Sequence, residues 1–211
     1  AVISTGRYEL AMGLPSKDTD ARKLFQLIVF LGATVSLLYL FIIFICKEIL
    51  HLQENFEILK YWWIYLAPLY IFFIALFSGL IYWLQRKKNY KKITFANALQ
   101  VILTAIFGIA FGLLRIESGL VLALIFSIII ATCYLLYSYL KDNQLFTFSE
   151  IKSQGSAYIA FPKHMIISDL SLTTSQQFIP ILFSFLFSTT VVGLYAMANR
   201  MLRLPNIVIT S

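Results

Sequence analysis

The stretch Leu24–Cys46 reads LFQLIVFLGATVSLLYLFIIFIC and contains no charged residue. An α-helix rises 1.5 Å per residue, so about 20 apolar residues cross the hydrocarbon core of a bilayer. Three further uncharged stretches are long enough for the same crossing: Tyr61–Leu84, Ile93–Leu114 and Ser118–Leu140. The pattern predicts a chain built from membrane-spanning helices.

Composition supports the same fold class. Hydrophobic residues form 60% of the 211 and charged residues 13%, whereas soluble domains are about 45–50% apolar and about 25% charged. We therefore predict an all-α integral membrane protein and exclude a soluble enzyme or nucleic-acid-binding domain. Cys46 and Cys133 lie in different apolar spans, can form neither a metal set nor a disulfide framework, and are interpreted as small core residues.

The two ends of the chain carry less regular apolar segments. The uncharged run Leu170–Asn199 is too long for one crossing and contains Gly193 after three hydroxyl residues, so it predicts two helices joined by a short turn. Residues 1–14 are predicted to be the end of another helix. The chain begins without methionine or a signal-peptide pattern, and we expect it to be a fragment.

The distribution of positive charge predicts the topology. The net charge of +7 comes from 17 Lys and Arg residues against 10 Asp and Glu residues. Eleven of the cations lie in one alternate set of polar segments and three in the other. The positive-inside rule places the richer set on the cytoplasmic side; it comprises residues 15–23, 85–92 and 141–164. Within it, the cluster Arg86–Lys92 is interpreted as a topology signal on anionic headgroups, with substrate recruitment as the alternative.

The other three cations fall within apolar segments: Arg7, Arg200 and Arg203. Glu9 is two residues from Arg7, and on a helix such residues do not share a face. Arg7 and Glu9 are therefore expected to make separate polar contacts, Glu9 with a cation of another helix or with a transported proton. Arg200 and Arg203 share a face by their spacing, and either snorkel to the interface or form a second basic patch.

A polar stretch follows the longest loop, Lys141–His164, which is the predicted boundary between two halves of a bundle. Residues 169–177 read DLSLTTSQQ. Such a helix cannot face lipid without cost, so it either hydrogen-bonds to neighbouring helices or lines a hydrated cavity. Within it, Gln176 is a candidate substrate-binding residue, and Asp169 either pairs with Lys163 or takes part in ion coupling.

Aromatic residues gather near the ends of the spans. Tyr82 and Trp83 lie at the end of the second uncharged stretch, and Tyr137 and Tyr139 at the end of the fourth. Rings at these positions are typical of the aromatic belt at headgroup level. We predict that these side chains face the membrane interface.

Four stretches together resemble one family. They are GRYELAMGLP at 6–15, YWLQRKKNYKK at 82–92, FPKHMIISDLSLTTSQQFIPILFSFLF at 161–187 and VVGLYAMANRMLRLP at 191–205. Their order and spacing are similar to those of the polysaccharide flippases, the O-antigen and capsule repeat-unit translocases of the multidrug, oligosaccharidyl-lipid and polysaccharide exporter superfamily.

The resemblance implies a fold of about twelve helices in two six-helix lobes around a central cavity. On that map this chain holds about seven helices. Residues 1–163 are the N-terminal lobe, from the end of helix two through helix six, with the inter-lobe loop 141–163. Residues 164–211 begin the C-terminal lobe with helices seven and eight.

The resemblance also implies a function. The protein is expected to move a lipid-linked oligosaccharide, carried on undecaprenyl diphosphate, across the bacterial cytoplasmic (inner) membrane by alternating access, with no bound cofactor and with coupling to H⁺ or Na⁺. Membrane lipids and polysaccharide-assembly proteins are the expected partners. The candidate substrate-binding residues are Arg7, Arg200, Arg203 and Gln176, and the ion-coupling candidates are Glu9 and Asp169.

Two other functions fit parts of the sequence. A drug exporter of the same superfamily shares the fold, but the deep arginines favour an anionic substrate over a cationic drug. A membrane enzyme such as an O-antigen polymerase needs an acid, base or nucleophile near its substrate. His51 and His164 lie in polar segments and form no metal-ligand or catalytic pattern, so we predict that the protein is not an enzyme.

Overall fold

The computed structural model describes residues 2–15, 17–49, 62–116, 118–142, 158–187 and 189–210. Two short helices open the chain, α1 (Val2–Thr5) and α2 (Tyr8–Ala11). Six long helices follow: α3 (Asp18–Phe44), α4 (Ala67–Arg86), α5 (Tyr90–Leu113), α6 (Gly119–Asp142), α7 (Ala160–Leu186) and α8 (Thr189–Thr210). A π-helical segment, Ile45–Ile49, continues α3, and a 3₁₀ segment, Trp62–Leu66, precedes α4.

Within the described part of the chain, four helices are long and apolar enough to cross a membrane: α3, α4, α5 and α6. Each covers one of the uncharged stretches to within a few residues, which confirms the predicted all-helical membrane bundle. Many of their large apolar side chains are exposed, such as Leu37 on α3 and Leu113 on α5. Lipid is the environment in which this exposure carries no penalty.

The chain divides into two compact units, residues 1–166 and 167–211. In the first unit α4 packs against α3, α5 and α6, and both short helices pack against α3 and α4. Its core contains Phe25 and Ile28 from α3, Leu80 and Trp83 from α4, and Leu135 from α6. In the second unit α7 and α8 meet through Phe183 and Tyr195, whose ring centroids are 5.0 Å apart. The predicted lobe boundary between residues 163 and 164 stays a prediction.

Small residues allow α3 and α4 to approach closely. A Cβ atom added at Gly32 would lie 2.9 Å from the Cβ of Ala75, and one added at Gly79 would lie 3.1 Å from the ring of Phe25. Small residues at such crossings are typical of membrane helix pairs. Near the same interface, the Ser36 hydroxyl donates a 2.6 Å hydrogen bond to the carbonyl of Pro68.

The predicted aromatic belt is wrong for Trp83 and Tyr139. Trp83 is 2% exposed and Tyr139 is 4% exposed. Tyr139 packs on Trp83 at 5.4 Å and on Phe25 at 4.8 Å between centroids, so α3, α4 and α6 meet through these rings. Tyr137, two residues away, is exposed. Position near a span end did not indicate which side of the helix each ring occupies.

Candidate functional site: polar side chains of the bundle

The first candidate region is a break in the N-terminal segment. Gly6 and Arg7 both have φ of 58°, in the left-handed region, and they separate α1 from α2. Glycine adopts this conformation without strain, whereas an L-residue such as arginine pays about 1–2 kcal/mol. The predicted continuous helix through residues 1–14 is therefore wrong at this point, because two consecutive left-handed residues interrupt it.

This break brings Arg7 and Glu9 together. Arg7 Nη1 lies 3.6 Å from Glu9 Oε1, and Arg7 occupies the N-cap position of α2. The expectation of two separate contacts rested on regular helical geometry and is wrong for the same reason as the helix itself. The Glu9 side chain is 2% exposed, whereas that of Arg7 is 24% exposed. The pair thus has a buried anion and a cation that is still accessible.

Further polar side chains are buried in the same part of the unit. Ser4, Thr5 and Gln26 are 2%, 0% and 6% exposed. Sequence reasoning missed Gln26, a lone amide in the apolar stretch of α3; its position in that stretch was the available signal. Buried polar groups in a membrane bundle are costly and tend to mark functional positions. Among the described residues, Glu9 Oε2 accepts no hydrogen bond.

A second region lies at the basic end of the first unit, where α4 ends. Arg86 donates from Nη1 to the carbonyls of Pro15 and Met12, at 2.6 and 3.2 Å, and from Nε to Asp18 Oδ1 at 3.1 Å. Lys87 donates to the other oxygen of Asp18. One arginine therefore fastens the end of α4 to the turn between α2 and α3.

Replacing Arg86 by alanine is expected to destabilise the protein by about 2 kcal/mol, because three hydrogen bonds from a charged donor are lost. In detergent this corresponds to a decrease in Tm of roughly 4–8 °C. Lys91→Ala is the matched control, since Lys91 is an exposed cation of the same segment. Equal Tm values for the two variants would contradict the fastening role of Arg86.

The basic cluster Arg86–Lys92 thus divides into internal and external residues. Arg86 and Lys87 bind Asp18, and Lys92 donates a 2.5 Å hydrogen bond to the Ser138 hydroxyl of α6. Lys87, Lys88 and Lys91 are exposed. The Arg86 side chain is therefore committed to internal contacts. The interpretation of the rest of the cluster as charge lying on headgroups stays a prediction.

The polar stretch of α7 presents two different sides. One side lines a groove of about 670 Å³ with Ser171, Thr174 and Ser175, set among the apolar residues Ile167, Leu170, Phe178 and Ile179. Asp169 and Gln176 are seven positions apart and lie near the opposite side at 100° per residue. The hydroxyl residues and the two predicted site residues are therefore separated around the helix.

The structure describes the remaining predicted site residues in less detail. Lys163 and Asp169 both lie in α7, six positions apart, which is not the three- or four-residue spacing of neighbours on a helix. Arg200 and Arg203 belong to α8, but their side chains lie outside the described residues. Their proposed common face stays a prediction.

Comparison with known proteins gives one match. A family model described as "Polysaccharide biosynthesis protein" matches residues 15–211. Arg7 and Glu9 precede the matched residues. Neither the curated proteins nor the solved structures gave a match.

Proposed function

This chain belongs to the polysaccharide biosynthesis protein family, and on that premise we propose that it is a translocase of lipid-linked oligosaccharides. Its substrate would be a polysaccharide repeat unit on undecaprenyl diphosphate, moved across the bacterial cytoplasmic membrane by alternating access. The observation that carries the proposal is the family match over residues 15–211 in a chain of membrane-crossing helices.

The chemistry of the substrate explains why such a protein is needed. Sugar hydroxyls that enter hydrocarbon lose their hydrogen bonds to water, and each unsatisfied group costs several kcal/mol. A polar surface within a helical bundle replaces those hydrogen bonds. The hydroxyl groove of α7 would provide a surface of this kind.

Arg7 is proposed to bind the diphosphate. Its guanidinium group is permanently charged and presents a fork of donors that suits phosphate oxygens. The Arg7 side chain is more exposed than that of Glu9. Arg7 can therefore exchange its contact with Glu9 for a contact with an anionic headgroup. Glu9 is proposed to take part in ion coupling, with H⁺ or Na⁺ as the coupled ion.

The second unit is proposed to complete the substrate path. Gln176 and Asp169 share one side of α7, where the amide would bind sugar and the carboxylate would take part in ion coupling. Arg200 and Arg203 would supply a second cationic surface. No bound cofactor is proposed, and polysaccharide-assembly proteins are the proposed partners.

A deletion strain tests the proposed function. Loss of the gene is expected to stop surface polysaccharide and to leave lipid-linked repeat units on the inner leaflet, as measured by protection from externally added glycosidase. Expression of the full-length protein should restore export. Single unpolymerised repeats at the outer surface would instead indicate a polymerase. Unchanged polysaccharide together with drug sensitivity would indicate a drug exporter.

A further inference from the structure

A cavity of about 250 Å³ lies at the basic end of the first unit. Seven residues line it: Arg22 of α3, Trp83 and Leu84 of α4, Lys87 and Asn89 of the following turn, and Ser138 and Tyr139 of α6. Its volume is below the roughly 300–1,000 Å³ typical of pockets for drug-sized ligands. The cavity therefore suits a small chemical group.

The charge of this cavity is positive. Arg22 and Lys87 line it, and the ammonium group of Lys92 lies against Ser138. No acidic residue is among the seven lining residues. The neighbouring carboxylate of Asp18 accepts from Lys87 but also from Arg86, and Asp20 lies 3.8 Å from Lys23. Neither of these two carboxylates is among the residues that line the cavity.

The cavity also has hydrogen-bond donors to offer. Arg22 Nε is buried, and it donates to no acceptor among the described residues. A buried donor of this kind carries a desolvation penalty until an acceptor reaches it. Asn89 precedes the first residue of α5, and its side chain does not cap that helix. The first N–H groups of a long helix favour an anion at this position.

The walls hold these groups in place. Trp83 and Tyr139 belong to the ring cluster that joins α3, α4 and α6, and the Lys87 ammonium group lies 5.5 Å from the centre of the Trp83 ring. An apolar wall lowers the local dielectric constant and strengthens the attraction between a cation and an anion. Lys87 and Asn89 also line an outer groove of about 560 Å³ with Lys88, Tyr90 and Lys91, which gives an anion a basic approach.

We propose that this cavity binds a phosphate group through Arg22, Lys87 and Asn89. Its place at the polar end of membrane-crossing helices makes an anionic phospholipid headgroup the expected source of that phosphate, since basic pockets between such helices bind headgroups. Free phosphate shares the same chemistry. The proposal is independent of the transported substrate.

The test uses the full-length protein in a detergent without phosphate, with dioctanoyl phosphatidylglycerol, dioctanoyl phosphatidylcholine and inorganic phosphate as separate probes. Phosphatidylglycerol is expected to raise the Tm with saturation, and Arg22→Gln is expected to raise the half-saturating concentration about tenfold, the equivalent of roughly 1.4 kcal/mol. Arg115→Gln, which removes an exposed cation near the other end of α5, should leave it unchanged.

Asn89→Leu is a second variant, which changes a turn residue outside the helices. It should weaken the Tm response to phosphatidylglycerol in the same way as Arg22→Gln. If inorganic phosphate raises the Tm in the same way, and no longer raises it in Arg22→Gln, the site binds phosphate and the free ion is the source. Equal responses to the two lipids, or a phosphatidylglycerol response that Arg22→Gln and Asn89→Leu leave intact, would overturn the proposal.

Discussion

Replacing Arg7 by alanine in the full-length protein is expected to abolish surface polysaccharide while the protein remains in the membrane. The substitution removes the proposed headgroup-binding cation. It also leaves the buried carboxylate of Glu9 without the partner that lies 3.6 Å away, and breaking a buried pair costs about 3–5 kcal/mol. Surface polysaccharide measured with antibody and membrane content measured by immunoblot report the two effects separately.

A double variant separates binding from pairing. Arg7→Ala combined with Glu9→Gln removes both charges, so no buried anion is left unpaired, and Glu9→Gln alone reports the loss of the proposed ion-coupling carboxylate. If Arg7 binds the headgroup, the double variant stays without polysaccharide although its membrane content is normal. Recovery of polysaccharide in the double variant, or normal polysaccharide in Arg7→Ala, would refute the headgroup role and leave a structural ion pair.

Trp83→Ala is expected to cause a large loss of stability, about 3–5 kcal/mol, because a large ring is removed from a close-packed site. Trp83 is 2% exposed and contacts Tyr139. Trp62→Ala is the matched control, since Trp62 is 59% exposed and its loss should change stability by less than about 0.5 kcal/mol.

Thermal unfolding of both tryptophan variants in the same detergent provides the measurement. A Tm decrease confined to Trp83→Ala is the expected result. A similar decrease in both variants would mean that Trp83 behaves as a ring at the membrane interface, as its place near the end of a span first suggested.

The long helices could be predicted from the sequence because hydropathy and length are local properties. The uncharged stretch 93–114 predicted α5, which spans Tyr90–Leu113. The break at Gly6–Arg7 could not be predicted in this way. Glycine was a local signal, but a left-handed arginine depends on contacts that only the folded chain supplies.

Which side of its helix a residue occupies could not be predicted from the sequence either. Trp83 and Tyr137 occupy similar places near the ends of spans, yet one is buried and the other exposed. Likewise, Arg22 and Arg86 were counted as topology charges because the count considers position along the chain. Their contacts depend on the rotation of each helix about its axis, which an apolar stretch without strong periodicity does not specify.

The Arg86 contacts also have a consequence for biosynthesis. The three acceptors precede Arg86 by 68 to 74 residues in the chain. At about 5–20 residues per second, the ribosome needs roughly 3 to 15 s to add the residues between them. The turn before α3 is therefore synthesised well before its fastening residue, and it becomes fixed only after α4 has been synthesised.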